Sequence, residues 1–180
     1  MKKLIGLFLF VCFAVLLVGC GNKNKYHATV YTNKDDIISE DFLFNNKIKK
    51  VEYKVKNEDG TYQKDENGNY KEVMDKDAPE ERTFIVKDNT TLSTMVNSGK
   101  VTVDFDTQIV VVNLFYSTYS RDLFISSIKY KDGNATFKLY DKNKKGYKDS
   151  SGPHARYAFI IMDKLDIETT TFSYSTREVL

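Results

Sequence analysis

The chain of 180 residues contains no tryptophan, two prolines, two cysteines and two histidines. Each scarcity excludes something. Pro79 and Pro153 are too few and too scattered to form an extended proline-rich linker. With His27 and His154 far apart in sequence, a hydrolytic triad or a histidine-rich metal cluster has little to draw on. The patterns G-x-S-x-G, H-E-x-x-H and the phosphate-binding P-loop are all missing. Ser150, Ser151 and His154 are neighbours in sequence, but polar loops produce such neighbours freely, and nothing nearby orients the histidine. The reading is of a chain without catalytic residues, cofactor or metal.

Cysteine is the scarcity that says most. Cys12 lies inside an apolar, uncharged run from Leu4 to Val18, and Cys20 stands at its end, followed by the polar stretch Gly21-Asn22-Lys23-Asn24-Lys25. A cationic start at Lys2 and Lys3, an apolar core and a small residue before the cut give the three-part layout of a secretory signal. The core is shorter than the ~20 residues that span a bilayer. Leu17-Val18-Gly19-Cys20 resembles the lipobox of bacterial lipoprotein signals. That resemblance implies cleavage before Cys20, a diacylglycerol on its sulfur, and acylation of the new amino terminus, by palmitate among others. The expected organisation is a signal at 1–19, a lipidated Cys20 and polar tether at 20–25, and an extracytoplasmic domain held at the cell membrane. Two or more acyl chains anchor stably, at about 0.8 kcal/mol per buried methylene. Loss of Cys12 and blockage of Cys20 leave no free thiol for a disulfide.

Charge follows the same division. The whole chain carries 27 basic and 25 acidic residues. Removal of Lys2 and Lys3 balances them, and a neutral domain lacks the electrostatic footprint of a nucleic-acid binder.

The remaining sequence, about 160 residues, suits one domain, or one domain with a small extension. Its patterning is that of strands. Residues 48–56 alternate, with Val51, Tyr53 and Val55 on one face. Gln108 to Phe115 is almost continuously apolar, as expected of a central strand covered on both faces. Two runs joined at Asp132-Gly133-Asn134 predict a hairpin. Residues 156–164 and 169–176 predict two more strands. One short helix is predicted near 90–97, capped by Asn89 or Thr90, with Leu92, Met95 and Val96 on its apolar face. Residues 35–45 fit helix or strand. The expected fold is therefore mainly β (α+β), an antiparallel sheet or sandwich with one short helix, preceded by the cleaved signal helix. A strand and hairpin region is expected at 26–82 and a β-rich domain at 83–180.

Asp59-Gly60-Thr61-Tyr62-Gln63-Lys64 is echoed eight residues on by Asn67-Gly68-Asn69-Tyr70-Lys71-Glu72. Each copy is a turn followed by a strand start, which reads as a meander of exposed strands or, in a sharper reading, as a cell-wall-binding repeat. Two acidic turns, Asp65 to Asn69 and Asp141 to Gly146, hold oxygen donors. Neither completes a calcium loop, because the first lacks the sixth-position glycine and the second has Gly152 where a bidentate Glu belongs.

From Thr83 onward, the order of strand, helix, Val103-Asp104-Phe105-Asp106 before the valines, hairpin, and an apolar strand from Tyr157 to Lys164 resembles the C-terminal domain of protease-complex-stabilising lipoproteins of the PrcB type. The resemblance covers the last 100 residues or so and rests on hydrophobics and turns. It implies a non-catalytic β-rich domain that contacts or stabilises another envelope protein. The sequence departs from the pattern at Tyr116 to Arg121, where those proteins are glycine-rich. There Tyr116, Tyr119 and Arg121 become the candidate partner-binding residues, since tyrosine and arginine give large contact area at low entropic cost. A small-ligand or wall-glycan binding lipoprotein is the alternative.

Overall fold

The computed structural model describes residues 25–118, 122–144 and 154–179. Three layers stack around one four-stranded sheet. The first sheet has the order β1 (Ala28–Tyr31), β8 (His154–Asp163), β5 (Gln108–Ser117), β4 (Glu81–Val86), with every pair antiparallel. The second has the order β6 (Leu123–Lys131), β7 (Asn134–Lys144), β9 (Thr169–Val179). Helices α1 (Glu40–Asn45) and α2 (Asn89–Met95) lie on the other side, with β2 (Tyr53–Lys54) and β3 (Glu72–Val73) forming a small separate ribbon.

The alternation of β5 and β8 explains the layering. Val110, Val112, Leu114, Tyr157, Phe159 and Ile161 point one way, into a cluster with Leu92 and Met95 of α2 and with Ile37, Ile48 and Val51 from the preceding segment. Ile109, Val111, Ala158, Ile160 and Met162 point the other way, against Ile128, Phe137 and Leu139 of the second sheet. β5 is thus a central strand apolar on both faces, as the run of valines predicts. Successive side chains on a strand must take opposite faces, so two separate cores need continuous hydrophobicity here.

The predicted hairpin is present and tighter than expected. Lys131 pairs with Asn134, so the loop is Asp132-Gly133 alone. Both residues have positive φ, 47° and 77°, which is the type I′ geometry whose twist matches the flanking strands. The second sheet is not antiparallel throughout. β9 runs parallel to β7, Asn134 opposite Thr169 through Lys144 opposite Val179, because the chain passes through the first sheet as β8 before returning.

Local chemistry corrects three smaller expectations. The α2 cap is Asp88, one residue before the predicted position, and its carboxylate accepts from the Thr91 N–H at 2.8 Å. Residues 35–45 hold neither one helix nor one strand. A 3-10 turn at Asn33–Asp35 ends at Asp36 in the left-handed region (φ 52°), and α1 starts after Ser39. Of the alternating run at 48–56, only Tyr53–Lys54 is regular strand, since Lys50 turns to φ 67° and Val51 and Tyr53 are buried under the first sheet.

No helix among the described residues is long and apolar enough to cross a membrane.

Candidate functional site

The echo in the sequence builds a closed backbone ring. Gln63 N–H donates to Val55 at 2.8 Å, Lys71 N–H to Gln63 at 2.9 Å, and Val55 N–H to Lys71 at 3.0 Å. These three residues are spaced eight apart; each copy of the echo supplies one corner, and Val55, before the first copy, supplies the third. The turns between them are set by Gly60 and Gly68, both at φ 84°, a region open to glycine at no steric cost. Asp59 and Asp65 lock those turns, accepting from the backbone of Thr61 and of Asn67 and Asn69, each at 2.9 Å. These bonds hold both carboxyls below the usual carboxylate range, Asp59 chiefly through the Thr61 hydroxyl and Asp65 chiefly through the Asn69 N–H. Among the described residues no cluster of three or more metal-binding side chains occurs.

Such a ring presents equivalent side chains side by side. Tyr62 and Tyr70, one from each copy, meet edge to face with ring centroids 5.5 Å apart. Around them stand Lys54, 4.5 Å from the Tyr70 centroid and 5.5 Å from that of Tyr62, and Lys64, 5.4 Å from Tyr70. Cations over aromatic faces hold the rings in place while leaving their outer edges in solvent, and Tyr70 is 47% exposed. On the inner side the Tyr62 hydroxyl donates to Glu40 on α1. Lys56 joins the same group, 3.2 Å from Glu40 and 2.8 Å from Asp41. The Tyr62 hydroxyl, reinforced by Lys56, depresses the Glu40 carboxyl, and Glu40 in turn raises the Tyr62 phenol.

Beside this face lies a groove of about 260 Å³ lined from α1 by Glu40 and Phe44, from the ribbon and its flanks by Tyr53, Lys56 and Tyr62, and from the start of β8 by His154 and Ala155. Ala155 is the register partner of Tyr116. Tyr116 is exposed at the end of β5, with Lys50 Nζ 5.8 Å from its ring. It lines a second, shallow cavity of about 520 Å³ together with Phe115, Tyr174 and Lys49. The groove, the ribbon and Tyr116 therefore share one end of the first sheet.

Of the residues expected from sequence, Tyr116 stands at this end, whereas Cys20, Tyr119 and Arg121 lie outside the described residues, as do Ser150 and Ser151. His27 and His154 sit at opposite ends of β8: His27 bonds Asp163 at the last residue of the strand, and His154 is the first. At about 3.3 Å per residue that separates them by roughly 30 Å. The acidic segment at 141–146 is only partly described; Asp141 through Lys144 continue β7 as regular strand and do not form a loop.

Tyr62, Tyr70, Lys54 and Glu40 were not singled out by sequence. The signal was the matched position of the two tyrosines in the echo, which becomes meaningful once the ring brings them together. Comparison with known protein families, with curated proteins and with solved structures gave no match.

Proposed function

We propose that the chain is a membrane-tethered extracytoplasmic lipoprotein whose β-rich domain binds another protein of the cell envelope and catalyses no reaction. The observation that carries the binding reading is the exposed Tyr70, packed on the half-buried Tyr62 and flanked by Lys54 and Lys64. The pair is held by a closed backbone ring. Preorganised tyrosines bind with little further loss of freedom. The anchor reading rests on the apolar run and on Leu17-Val18-Gly19-Cys20.

In-cell photo-cross-linking of the full chain followed by mass spectrometry tests the first part. Wild type should enrich one envelope protein, and Lys54→Ala with Tyr70→Ala should lose it. Enrichment equal in both, or none, would overturn the reading. For the anchor, Cys20→Ala should abolish cleavage at Gly19 and uptake of labelled palmitate, while Cys12→Ala changes neither. An unmodified mature terminus in wild type would sink it.

A wall glycan is the second reading, favoured by the groove. Phe44 and Tyr62 offer rings for sugar faces, with Glu40 and Lys56 placed for hydroxyls. Co-sedimentation with purified cell wall, lost on Tyr62→Ala, would select it over the protein partner.

A further inference from the structure

Four strands form the edges of the two sheets, and three are protected. β1 has four residues. β4 has six and opens with Glu81 and Arg82. β6 carries a register shift between Ile125 and Ser127, and bulges spoil an edge for pairing. β9 has neither the shortness of β1 and β4 nor a bulge, and carries charge only near its last residue, at Arg177 and Glu178. It is 11 residues long and pairs with β7 without a break. From Thr169 to Thr176 it contains no charge, proline or glycine. Among the described residues no strand pairs with its outer side, and from Ser173 onward its residues are exposed. A long, plain, uncharged edge presents a row of backbone donors and acceptors ready for another strand.

We propose that β9 is a self-recognition edge, at which two copies of this chain pair antiparallel about a two-fold axis near Ser173 and join their second sheets into one six-stranded sheet. The chemistry of the strip selects the occupant. It offers a charged partner nothing to complement, but it complements itself. In this register Thr171 faces the Ser175 of the other copy on the outer face, and Phe172 faces Tyr174 on the inner one. Thr–Ser and aromatic pairs are favourable cross-strand neighbours. The strand's two charges, Arg177 and Glu178, sit together at one end. Antiparallel pairing sets Arg177 against the uncharged Thr169, whereas parallel pairing would set Arg177 against Arg177. The ladder ends at Thr169, because Glu168, which would otherwise meet Glu178, has turned away to donate its N–H to Gly133 at 2.8 Å. An isologous contact of this kind closes as a dimer and does not propagate.

The test uses the full chain in detergent with Cys12→Ala and Cys20→Ala, so that a single introduced cysteine reports. Ser173→Cys should give a covalent dimer with a short bis-maleimide. Ser93→Cys, also exposed, on α2, should not. Adding Thr171→Lys and Ser175→Lys, which confront each other only across the two-fold axis, should abolish the Ser173→Cys dimer while the far-ultraviolet dichroism stays that of the parent. Thr171→Lys alone should reduce it. Absence of a dimer at Ser173→Cys, equal yields at both positions, or a yield indifferent to the lysines would overturn the proposal. The two-fold contact does not involve Tyr70 or Lys54, so its failure is separable from failure of the partner-binding reading.

Discussion

The hydroxyl of Tyr174 on β9 donates to Oδ1 of Asn113 on β5 at 2.5 Å, tying the second sheet to the first. Asn113 is fully buried in an otherwise apolar strand, and its amide nitrogen donates to Thr83 Oγ1 at 3.0 Å. A polar side chain at that depth is tolerated only with partners. The Tyr174 ring stacks on Phe115, with centroids 4.3 Å apart, which fixes the direction of the hydroxyl.

Tyr174→Phe should lower stability by about 1–3 kcal/mol, because it keeps the ring but strands a buried acceptor. Urea unfolding measures this. Asn113→Leu combined with Tyr174→Phe should cost less than the two single changes together, since an apolar pair needs no hydrogen bond. Strict additivity would show that the contact does not couple the sheets.

Alkaline pH should unfold the protein through its inward-facing tyrosines. Burial raises the phenols of Tyr53, Tyr157 and Tyr174. Unfolded tyrosines release protons near pH about 10, while the folded ones keep theirs. Above that pH the unfolded state binds fewer protons, so stability falls as pH rises. The melting temperature should be level from these groups below pH about 10 and decline above it, with a shallower decline in Tyr174→Phe. An unchanged slope in that variant would contradict the assignment.

Asp88→Ala should lower the melting temperature by a few degrees, and Asn89→Ala by much less. Asp88 receives both the N–H and the hydroxyl of Thr91, at 2.8 and 3.0 Å, and the Thr91 N–H chiefly holds its carboxyl below the usual range. Equal effects would return the cap to Asn89.

The amides of Val55, Gln63 and Lys71 should exchange with solvent at one common rate, faster than those of β5. A closed ring opens as a unit. Gly68→Ala should speed all three together and leave β5 unchanged, at a local cost of about 1 kcal/mol for a side chain in the left-handed region. Nothing lies within 4 Å of the added methyl group, so the strain is in the backbone alone. Independent rates at the three positions would refute the ring as a cooperative unit.

What could be read from sequence were features decided within a few residues. The valines of β5, the Asp132-Gly133 turn and the Leu92–Met95 face of α2 each carry their own cause. Features decided by distant partners could not be read. Nothing in Thr169 to Val179 says that its neighbour will be β7 and parallel. The alternation at Val51, Tyr53 and Val55 is genuine, yet the first two enter the core and the third enters the ring. Residues 35–45 were ambiguous because they span the end of a 3-10 turn, an extended stretch that bridges Val96 at Ile38, and the six-residue α1, none long enough to show a period. The tyrosine pair was visible as an echo, but its meaning required the ring.

The pairing of β1 with β8 also constrains the order of assembly. Ala28 meets Met162 and Tyr31 meets Phe159, contacts between the first strand of the chain and one near its end. A chain emerging amino end first therefore carries β1 without its neighbour until β8 follows, and the second sheet waits longer still, for β9. Long-range pairings of this kind make folding slow, because a large loop must close before any bond rewards it. The first sheet therefore closes only once β8 is available, whereas the hairpin of β6 and β7 is a local pairing that can form before it.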